Sequence, residues 1–237
     1  MRLFFTVPDT PQTQNGVLLR NFLRQCAVST ELARAVKFRG GGFFAEGEPV
    51  LANRRVYPGQ VVSFELPPEG DGVAPQPEIP VKVVYEDAFA VVLEKPPHLA
   101  VHPTLNYPCD TLANGYAAWA AQQGISPVFR PVNRIDKDTS GLLVVAKDDA
   151  THIGLSQQMA VHSVERAYRT IVYGGFAQDE GFVESNLGRS KTDRKKMAVY
   201  PASEPHTKYA YTGYQVLERL NNFTMLECRL KTGRTHQ

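Results

Sequence analysis

One stretch of the sequence decides how the fold is interpreted: Arg130-Pro-Val-Asn-Arg-Ile-Asp-Lys-Asp-Thr-Ser-Gly141, followed directly by Leu142-Leu-Val-Val-Ala-Lys147. A polar loop with two aspartates, Asp136 and Asp138, runs into a continuous apolar segment, and this pattern predicts a buried strand. Loops fixed to the end of a rigid strand commonly carry catalytic groups. A purely structural explanation is also open, in which residues 138–141 form a turn with capping side chains and a glycine at a special dihedral angle.

The amino-acid sequence of this loop is more specific than that of a generic turn. It resembles the His-Arg-Leu-Asp-x-x-Thr-Ser-Gly signature of the RluA-type pseudouridine synthases, with Asn133 and Ile135 as departures. Three further blocks are similar to motifs of that family and follow in the family's order. They are Val91-Val-Leu-Glu-Lys-Pro-Pro-His-Leu-Ala-Val-His-Pro103, Arg166-Ala-Tyr168 and Leu230-Lys-Thr-Gly-Arg-Thr-His-Gln237. Four ordered blocks are hard to obtain by chance.

The composition agrees with this resemblance without indicating it. The chain has 237 residues with a net charge of +2, so any basic surface must be local. Its cysteines, Cys26, Cys109 and Cys228, are far apart, which argues against a zinc site and a disulfide framework and suits a reducing cytosol. Because no apolar stretch approaches membrane-spanning length and the apolar N-terminal part is too short for a signal peptide, we expect a cytoplasmic protein. We also expect a monomer.

The sequence also predicts how the chain is divided. Half of residues 67–80 are proline or glycine, so this segment is expected to be an extended linker. It separates an N-terminal domain, residues 1–66, from a catalytic domain, residues 81–237. Since the family continues past Gly-Arg-Thr-His-Gln with further strands, the resemblance implies that this catalytic domain is incomplete.

The N-terminal domain places apolar residues at helical spacing over residues 17–24. A second helix is predicted over 29–38, because Ser29 is a cap, an acid follows early, and Gly40-Gly-Gly42 is a stop. A hairpin with Gly47 in its turn and a strand at residues 61–66 follow. This order resembles the S4 RNA-binding module. Residues 14–66 include seven basic and four acidic residues, a local excess of positive charge. We expect four of the cations to bind RNA phosphates, although a solvated face without a partner is the alternative: Arg20, Arg24, Arg34 and Lys37.

The catalytic domain mixes helices and strands without regular alternation, which indicates an α+β fold. Strands are predicted at residues 81–86, 89–93, 142–146, 168–173, 209–217 and 224–230, and helices at 110–122 and 150–161, the first capped by Asp110. The resemblance implies a mixed, mostly antiparallel sheet with helices and loops flanking a central cleft.

The chemistry implied by the resemblance is the isomerisation of uridine in RNA. The bond from uracil N1 to ribose C1′ breaks and C1′ rejoins the base at C5, so we expect neither cofactor nor metal. Gly40-Gly-Gly42 lacks the spacing of a phosphate-binding P-loop. His98 and His102 are four residues apart, but the neighbouring prolines disfavour the helix that would let them share a metal ion.

The resemblance implies three catalytic residues. Asp136 matches the catalytic aspartate, which either attacks C1′ or stabilises positive charge there. Arg234 matches the arginine that pairs with this carboxylate, a role that its planar guanidinium suits. Tyr168 matches the tyrosine that stacks on the base and is placed to move a proton, although a tyrosine packed in the core is the simpler alternative.

A stacked uridine presents neither C1′ nor C5, so the nucleotide must be extruded. By resemblance, Arg134 occupies the vacated position. The basic run at residues 189–196 can hold the RNA backbone, although such runs are usually solvated loops. The residues expected to contact RNA in the catalytic domain are Arg134, Thr139, Arg166, Arg189, Lys191, Arg194, Lys195 and Lys196.

Two other functions stay open on the sequence. One is a non-catalytic RNA-binding protein that has kept the fold, although Asp136 and Tyr168 are both present. The other is a glycosidic-bond hydrolase with Asp136 as its nucleophile. Such an enzyme normally needs a second carboxylate across the bond, and only Asp138 lies nearby in the sequence. The target RNA, rRNA or tRNA, is likewise open.

Overall fold

A computed structural model of the protein describes residues 1–38, 41–66, 72–104, 108–193 and 196–237. Of the residues singled out above, Gly40, Arg194, Lys195 and the beginning of the linker, residues 67–71, lie outside these ranges. The chain divides into two compact units, Met1–Val161 and His162–Gln237. None of the helices in the described ranges is both long and apolar enough to cross a membrane.

The N-terminal part of the first unit is an antiparallel sheet packed against two helices. Its sheet has the order β1-β6-β3-β4, and β2 pairs separately with β5. The elements are β1 Arg2–Thr6, β2 Val17–Leu18, α1 Leu19–Gln25, α2 Thr30–Phe38, β3 Phe43–Ala45, β4 Glu48–Val50, β5 Arg55–Val56 and β6 Val61–Glu65. The predicted helices and hairpin are confirmed: Ser29 Oγ accepts a hydrogen bond from Leu32 N at 3.0 Å, and Gly47 has a φ of 83° in the turn.

The rest of the first unit is a second antiparallel sheet with two helices. Its order is β7-β8-β10-β9, and Gly141 at the start of β10 lies opposite Lys95 at the end of β8. The elements are β7 Lys82–Glu86, β8 Ala90–Lys95, α3 Leu112–Gln122, β9 Arg130–Pro131, β10 Gly141–Ala146 and α4 Asp149–Ala160. Buried residues of the central strands, including Leu93 and Leu143, form one hydrophobic cluster with Tyr116 of α3.

The predicted cap of helix α3 is wrong by one residue. Thr111 is the N-cap, and its backbone N and its hydroxyl both donate to Asn114 Oδ1, at 3.1 and 2.6 Å. Asp110 has a left-handed φ of 59° and donates its backbone N to Gln76. The side chain of Asn114 determines the cap position, because it accepts a hydrogen bond from the backbone N–H of Thr111, directly before the helix.

The two parts of the first unit meet through helix α4. Ile153 is only 4% exposed and belongs to the hydrophobic cluster of the N-terminal part, together with Phe22 and Val36. Gln157 Nε2 also donates to the carbonyl oxygen of Cys26 at 3.0 Å. Helix α4 therefore contacts the N-terminal part through buried Ile153 and through the hydrogen bond of Gln157.

The second unit is a five-stranded antiparallel sheet with the order β11-β15-β14-β12-β13. Its strands are β11 Ala167–Tyr173, β12 Glu180–Arg189, β13 Met197–Tyr200, β14 Lys208–Leu220 and β15 Phe223–Leu230. The three strands predicted here, β11, β14 and β15, are confirmed. Sequence reasoning missed β12 and β13, because β12 contains two glycines and polar residues on both faces, and it is held by pairing with a strand on each side. These antiparallel sheets, with only a few helices, confirm the α+β class.

Candidate active site

The loop that carries Asp136 connects β9 to β10, and hydrogen bonds from Asn133 fix its beginning. Asn133 Oδ1 accepts from Val144 N at 2.9 Å, and its Nδ2 donates to Leu142 O at 3.1 Å. The side chain thus bonds to the backbone of β10 as a neighbouring strand would. Asn133 departs from the family's usual histidine, and in this chain it ties the loop to the sheet.

The middle of the loop is a turn that is stabilised by a hydrogen bond from the buried side chain of Lys95. Thr139 N donates to Asp136 O at 3.2 Å, which closes the turn. Lys95 Nζ donates to the carbonyl oxygen of Lys137 at 2.8 Å. The side chains of Arg134 and Asp136 remain exposed, and Thr139 is half-buried. The backbone around Asp136 is therefore fixed while its carboxylate is accessible to a substrate.

Three charged residues lie in or next to this loop: Lys95, Asp136 and Asp138. Burial lowers the pKa of Lys95 below its usual value, and the charges of Asp138 and Asp136 partly oppose this shift. Asp138 Oδ1 also lies 2.9 Å from His98 Nδ1, in a pair that is largely exposed. The loop is therefore a place where a buried cation lies close to two exposed carboxylates.

The charge of Arg134 affects the pKa of His102. Its ring lies edge-on to Phe129, with ring centroids 5.2 Å apart, although the residue as a whole keeps contact with solvent. This partial desolvation and then the positive charge of Arg134 lower the pKa of His102, and Glu31 opposes them.

In the second unit, antiparallel pairing brings two distant motifs together. Tyr168 is half-buried on β11 and lies opposite Cys228 on β15. At the same end of the sheet, Leu230 N donates to Arg166 O at 3.1 Å. The Arg-Ala-Tyr motif therefore lies beside the start of residues 231–237, which follow β15.

Gly233 makes room for Arg166. A Cβ atom added at Gly233 would lie 2.3 Å from Arg166 Nη1. The Nε of Arg166 is buried, and in the described part of the chain it has no hydrogen-bond partner. The glycine of the Gly-Arg-Thr-His-Gln motif thus allows the guanidinium of Arg166 to lie directly against the backbone.

Residues 231–237 form a compact turn on the edge of strand β14. Gln237 Nε2 donates to Tyr211 O at 3.0 Å, and its Oε1 accepts from Thr232 Oγ1 at 2.8 Å and from Arg234 N at 3.0 Å. Arg234 Nε donates to Tyr209 O at 2.7 Å. This bond uses one donor of the guanidinium and leaves the two Nη groups without a hydrogen-bond partner among the described residues.

The other expected RNA contacts are spread over both units. Lys191 pairs with Glu204 at 2.7 Å, a hydrogen bond that raises the pKa of Lys191, and Lys196 lies 3.8 Å from Asp193. These lysines flank the turn of the β12–β13 hairpin, and Arg189 is exposed at the end of β12. Four cations of helices α1 and α2 are also exposed: Arg20, Arg24, Arg34 and Lys37.

Asp136 lies in the first unit, whereas Tyr168 and Arg234 lie in the second. The expected pairing of Asp136 with Arg234 stays a prediction. Sequence reasoning missed the parts played by Lys95 and Asn133, and the only signal for Lys95 was its place in the Lys-Pro motif. Within the described ranges, no three His, Cys, Asp or Glu side chains form a group that could hold a metal ion.

Comparison with known proteins gives one consistent family. The family model of RNA pseudouridylate synthases matches residues 90–237. The chain is 40% identical to an uncharacterized RNA pseudouridine synthase, YlyB, of Bacillus subtilis, over 84% of the chain and 65% of that protein. It is 46% identical to the ribosomal large subunit pseudouridine synthase D of Zymomonas mobilis, over 68% of the chain and 51% of that protein. The chain thus spans about half to two thirds of the length of these curated relatives.

The solved structures agree at the level of the fold. The structure of human RNA pseudouridylate synthase domain containing 4 superposes with a TM-score of 0.54 at 23% identity, over 66% of this chain and 61% of that one. Human RNA pseudouridylate synthase domain containing 1 gives 0.53 at 22% identity, over 70% and 65%. A family model that covers more than half of the chain supports the resemblance of its four motifs, and the chain belongs to the RNA pseudouridine synthase family.

Proposed function

We propose that the protein isomerises uridines in RNA to pseudouridine, with Asp136, Tyr168 and Arg234 as catalytic residues. The observation that carries this proposal is the family match over residues 90–237, which contain all three. The geometry of the Asp136 loop supports it, because the carboxylate is accessible on a backbone fixed by Lys95 and Asn133.

The proposed reaction needs no external reagent. Asp136 acts at C1′, as a nucleophile or by stabilising positive charge, while the bond to N1 breaks. The base then turns and C1′ bonds to C5, and the hydrogen at C5 leaves as a proton while N1 gains one. Tyr168 stacks on the extruded base and is placed to move the C5 proton.

Arg234 and Arg166 have separate proposed roles beside Tyr168. The Nη groups of Arg234 are available to a carboxylate or phosphate, because among the described residues its guanidinium bonds only through Nε, to Tyr209 O. Arg166, held against Gly233, is proposed to contact the phosphate of the extruded nucleotide. Arg134 is proposed to fill the space that the nucleotide leaves.

RNA outside the site is proposed to bind two other groups of cations. The exposed arginines and lysine of α1 and α2 belong to a region that we propose to be an S4-like domain, residues 1–66. The hairpin cations Arg189, Lys191 and Lys196, with Arg194 and Lys195, form a second group, in which the ion pairs with Glu204 and Asp193 must exchange for phosphates. Within the site, the uncharged Thr139 is proposed to contribute a further RNA contact beside Asp136.

The proposed substrate is large-subunit ribosomal RNA. Its support is the name of relatives from several bacteria, the ribosomal large subunit pseudouridine synthases D. Among them are the synthase of Zymomonas mobilis and one of Pseudomonas aeruginosa that is 35% identical over 84% of this chain. Mapping pseudouridines in rRNA and tRNA from a strain that lacks the gene tests this choice. A missing site in tRNA alone would replace large-subunit RNA as the target.

Asp136→Asn tests the function itself. The amide keeps the shape and loses the charge, so release of tritium from RNA labelled at uracil C5 should fall at least a thousandfold while RNA binding stays within about threefold. Asp138→Asn is the matched control from the same loop and should keep most of the activity. Turnover of Asp136→Asn within tenfold of wild type would overturn the assignment. Release of free uracil by the wild type would favour the hydrolase instead.

A further inference from the structure

A groove on one face of the second unit lies between an aromatic ring and an arginine. Phe182 of β12, Gly213 of β14 and Arg229 of β15 are register partners across three neighbouring strands. Register partners point to the same face of a sheet, and all three residues line an open groove of about 420 Å³. Because Gly213 has no side chain, the bottom of the groove between the two larger residues is backbone.

The spacing of the strands suits one flat ring in this groove. Neighbouring strands lie about 4.8 Å apart, so the backbones of Phe182 and Arg229 are about 10 Å apart across Gly213. A flat ring in contact with a group on each side needs about 7 Å, twice the contact distance of about 3.5 Å between carbon atoms. A glycine inside a strand often marks a site where a ligand approaches the backbone closely.

The aromatic side of the groove is a pair of stacked rings. Phe182 and Tyr211 have ring centroids 5.3 Å apart and planes that differ by 13°. Phe182 is nevertheless 57% exposed, although burial of a ring of this size is favourable. Exposed aromatic rings are surfaces on which the bases of single-stranded nucleic acids stack. The pair therefore offers a flat apolar surface to a base.

The arginine on the other side of the groove has its plane fixed and its charge balanced. Arg229 Nε and Nη2 donate to Glu227 Oε1 at 3.1 and 2.9 Å, and Nη1 donates to Glu165 Oε2 at 3.1 Å. The N–H groups of a guanidinium point outward in its plane, so these bonds do not cover its two faces. With Glu180 also lining the groove, the carboxylates favour a neutral ring over a phosphate.

A cation that can contact the RNA backbone lies next to the aromatic pair. Lys231 is exposed, and its Nζ lies 4.6 Å from the centroid of the Tyr211 ring. Tyr211 precedes Gly213 by two residues on β14, so both belong to the face that carries the groove. A nucleotide strand whose base enters the groove can thus place a phosphate near Lys231.

We propose that this groove binds an unpaired base of the RNA substrate between the ring of Phe182 and the guanidinium of Arg229. The proposal rests on the proposed function for its choice of RNA, but binding can be measured without turnover. Arg229 lies opposite Ala167, and Tyr168 follows Ala167 on β11. Since neighbouring residues of a strand point to opposite faces, the groove and the side chain of Tyr168 lie on opposite faces of the sheet. The bound base is therefore a different one from the target uridine, and the groove contributes to affinity.

Phe182→Leu and Arg229→Lys test the two sides of the groove. Leucine keeps an apolar side chain and lysine keeps the charge, but each change removes a flat surface. The affinity of the full chain for a short single-stranded RNA with one 2-aminopurine should fall about tenfold in Phe182→Leu and about fivefold in Arg229→Lys. Quenching of the 2-aminopurine fluorescence by stacking should be reduced in both. The double variant should lose less than the product of the two effects, because both residues hold the same base.

Matched controls come from the opposite ends of strands β14 and β15. Phe223→Leu removes an exposed ring that contacts Tyr173, with centroids 5.6 Å apart, and Arg219→Lys removes a guanidinium that lies 2.6 Å from Asp179. Both controls should bind the RNA within about twofold of wild type, because surface substitutions away from a binding site have small effects. Wild-type affinity in both groove variants would overturn the proposal, as would equal losses in the controls.

Gly213→Ala separates a binding role from a structural one. The added Cβ atom would lie 3.8 Å from Arg229 O and 3.9 Å from Tyr211 Cε1, which are ordinary contact distances. Thermal unfolding should therefore occur at the wild-type temperature or above it, since alanine restricts the unfolded chain. RNA affinity should fall about fivefold, because a methyl group fills the bottom of the groove. A lower unfolding temperature with unchanged affinity would assign Gly213 to strand packing and overturn the proposal.

Tritium release separates the groove from the chemistry. The rate constant at saturating RNA should stay within about twofold of wild type in Phe182→Leu, because the groove contributes binding that is the same in the ground state and the transition state. If the wild type releases no tritium but the groove variants bind RNA more weakly, the proposed function fails and the groove stands. If the wild type releases tritium and the groove variants bind RNA as tightly as it does, the groove alone is overturned.

Discussion

The Asp136 loop and the Tyr168 strand are both parts of the proposed site, but different forces hold them in place. The loop is positioned by side chains, because Lys95 and His98 bond to it and its own Asn133 bonds to the backbone of strand β10. The strand is positioned by a backbone ladder with β15 that runs over its whole length. A backbone ladder survives most substitutions, whereas a loop held by three side chains depends on each one. Mutations should therefore move Asp136 more easily than Tyr168.

The sharpest test of this comparison is the hydroxyl of Tyr168. Because the strand position does not depend on the side chain, Tyr168→Phe should keep RNA affinity and lose about a hundredfold or more in the rate of tritium release, through the missing proton transfer. Tyr168→Ala should in addition weaken RNA binding by about 1–3 kcal/mol, because the base loses its stacking partner.

A structural tyrosine would give the opposite pattern. In that case Tyr168→Ala would lose several kcal/mol of the free energy of unfolding through the cavity it leaves, and Tyr168→Phe would keep full activity. Thermal unfolding of both variants beside their rates separates the two cases.

Gly233→Ala tests whether the strand side of the site has a point as sensitive as the loop. The added methyl group would lie 2.3 Å from Arg166 Nη1, so the guanidinium must move away. We expect RNA binding to weaken by about 1–2 kcal/mol, the size of one charge-assisted hydrogen bond to phosphate. Gly175→Ala is the matched control in the same unit, since nothing lies within 4 Å of its added Cβ. Equal affinities of the two variants would mean that Arg166 does not contact RNA.

The smallest expected effect comes from the N-terminal helices, far from the chemistry. Replacing both Arg20 and Arg24 with Gln should lower the slope of log affinity against log salt by about one for each lost phosphate contact, with little change in the rate at saturating RNA. Lys82→Gln, which removes an exposed lysine paired with Glu94, is the control. A slope equal to that of wild type would leave these arginines as a solvated helix face.

Point substitutions suit this last test better than deletion of residues 1–80. Ile153 of helix α4 is buried among the N-terminal side chains, so deletion would expose it to water. Residues of the second half of the linker also lie against helix α3, where Asn114 Nδ2 donates to Ala74 O at 2.8 Å. Loss of affinity in a deletion variant would then mix lost RNA contacts with damage to the first unit.

The sequence by itself determined the family and most of the regular elements of this protein. Apolar spacing predicted helix α1, cap and stop residues predicted helix α2, and apolar runs predicted strands such as β8 and β10, because these signals depend on neighbouring residues. The resemblance of the motifs to those of the family identified Asp136, Tyr168 and Arg234 as candidate catalytic residues. Their roles stay predictions.

The contacts that hold those candidate residues in place became visible only in the tertiary structure. The cap at Thr111 instead of Asp110 depends on where the side chain of Asn114 points, and strand β12 depends on having a partner on each side. The bond from Lys95 to Lys137 and the space that Gly233 leaves for Arg166 join residues 42 and 67 positions apart. No local pattern encodes such contacts, because they arise when antiparallel pairing brings the end of one strand beside the start of another.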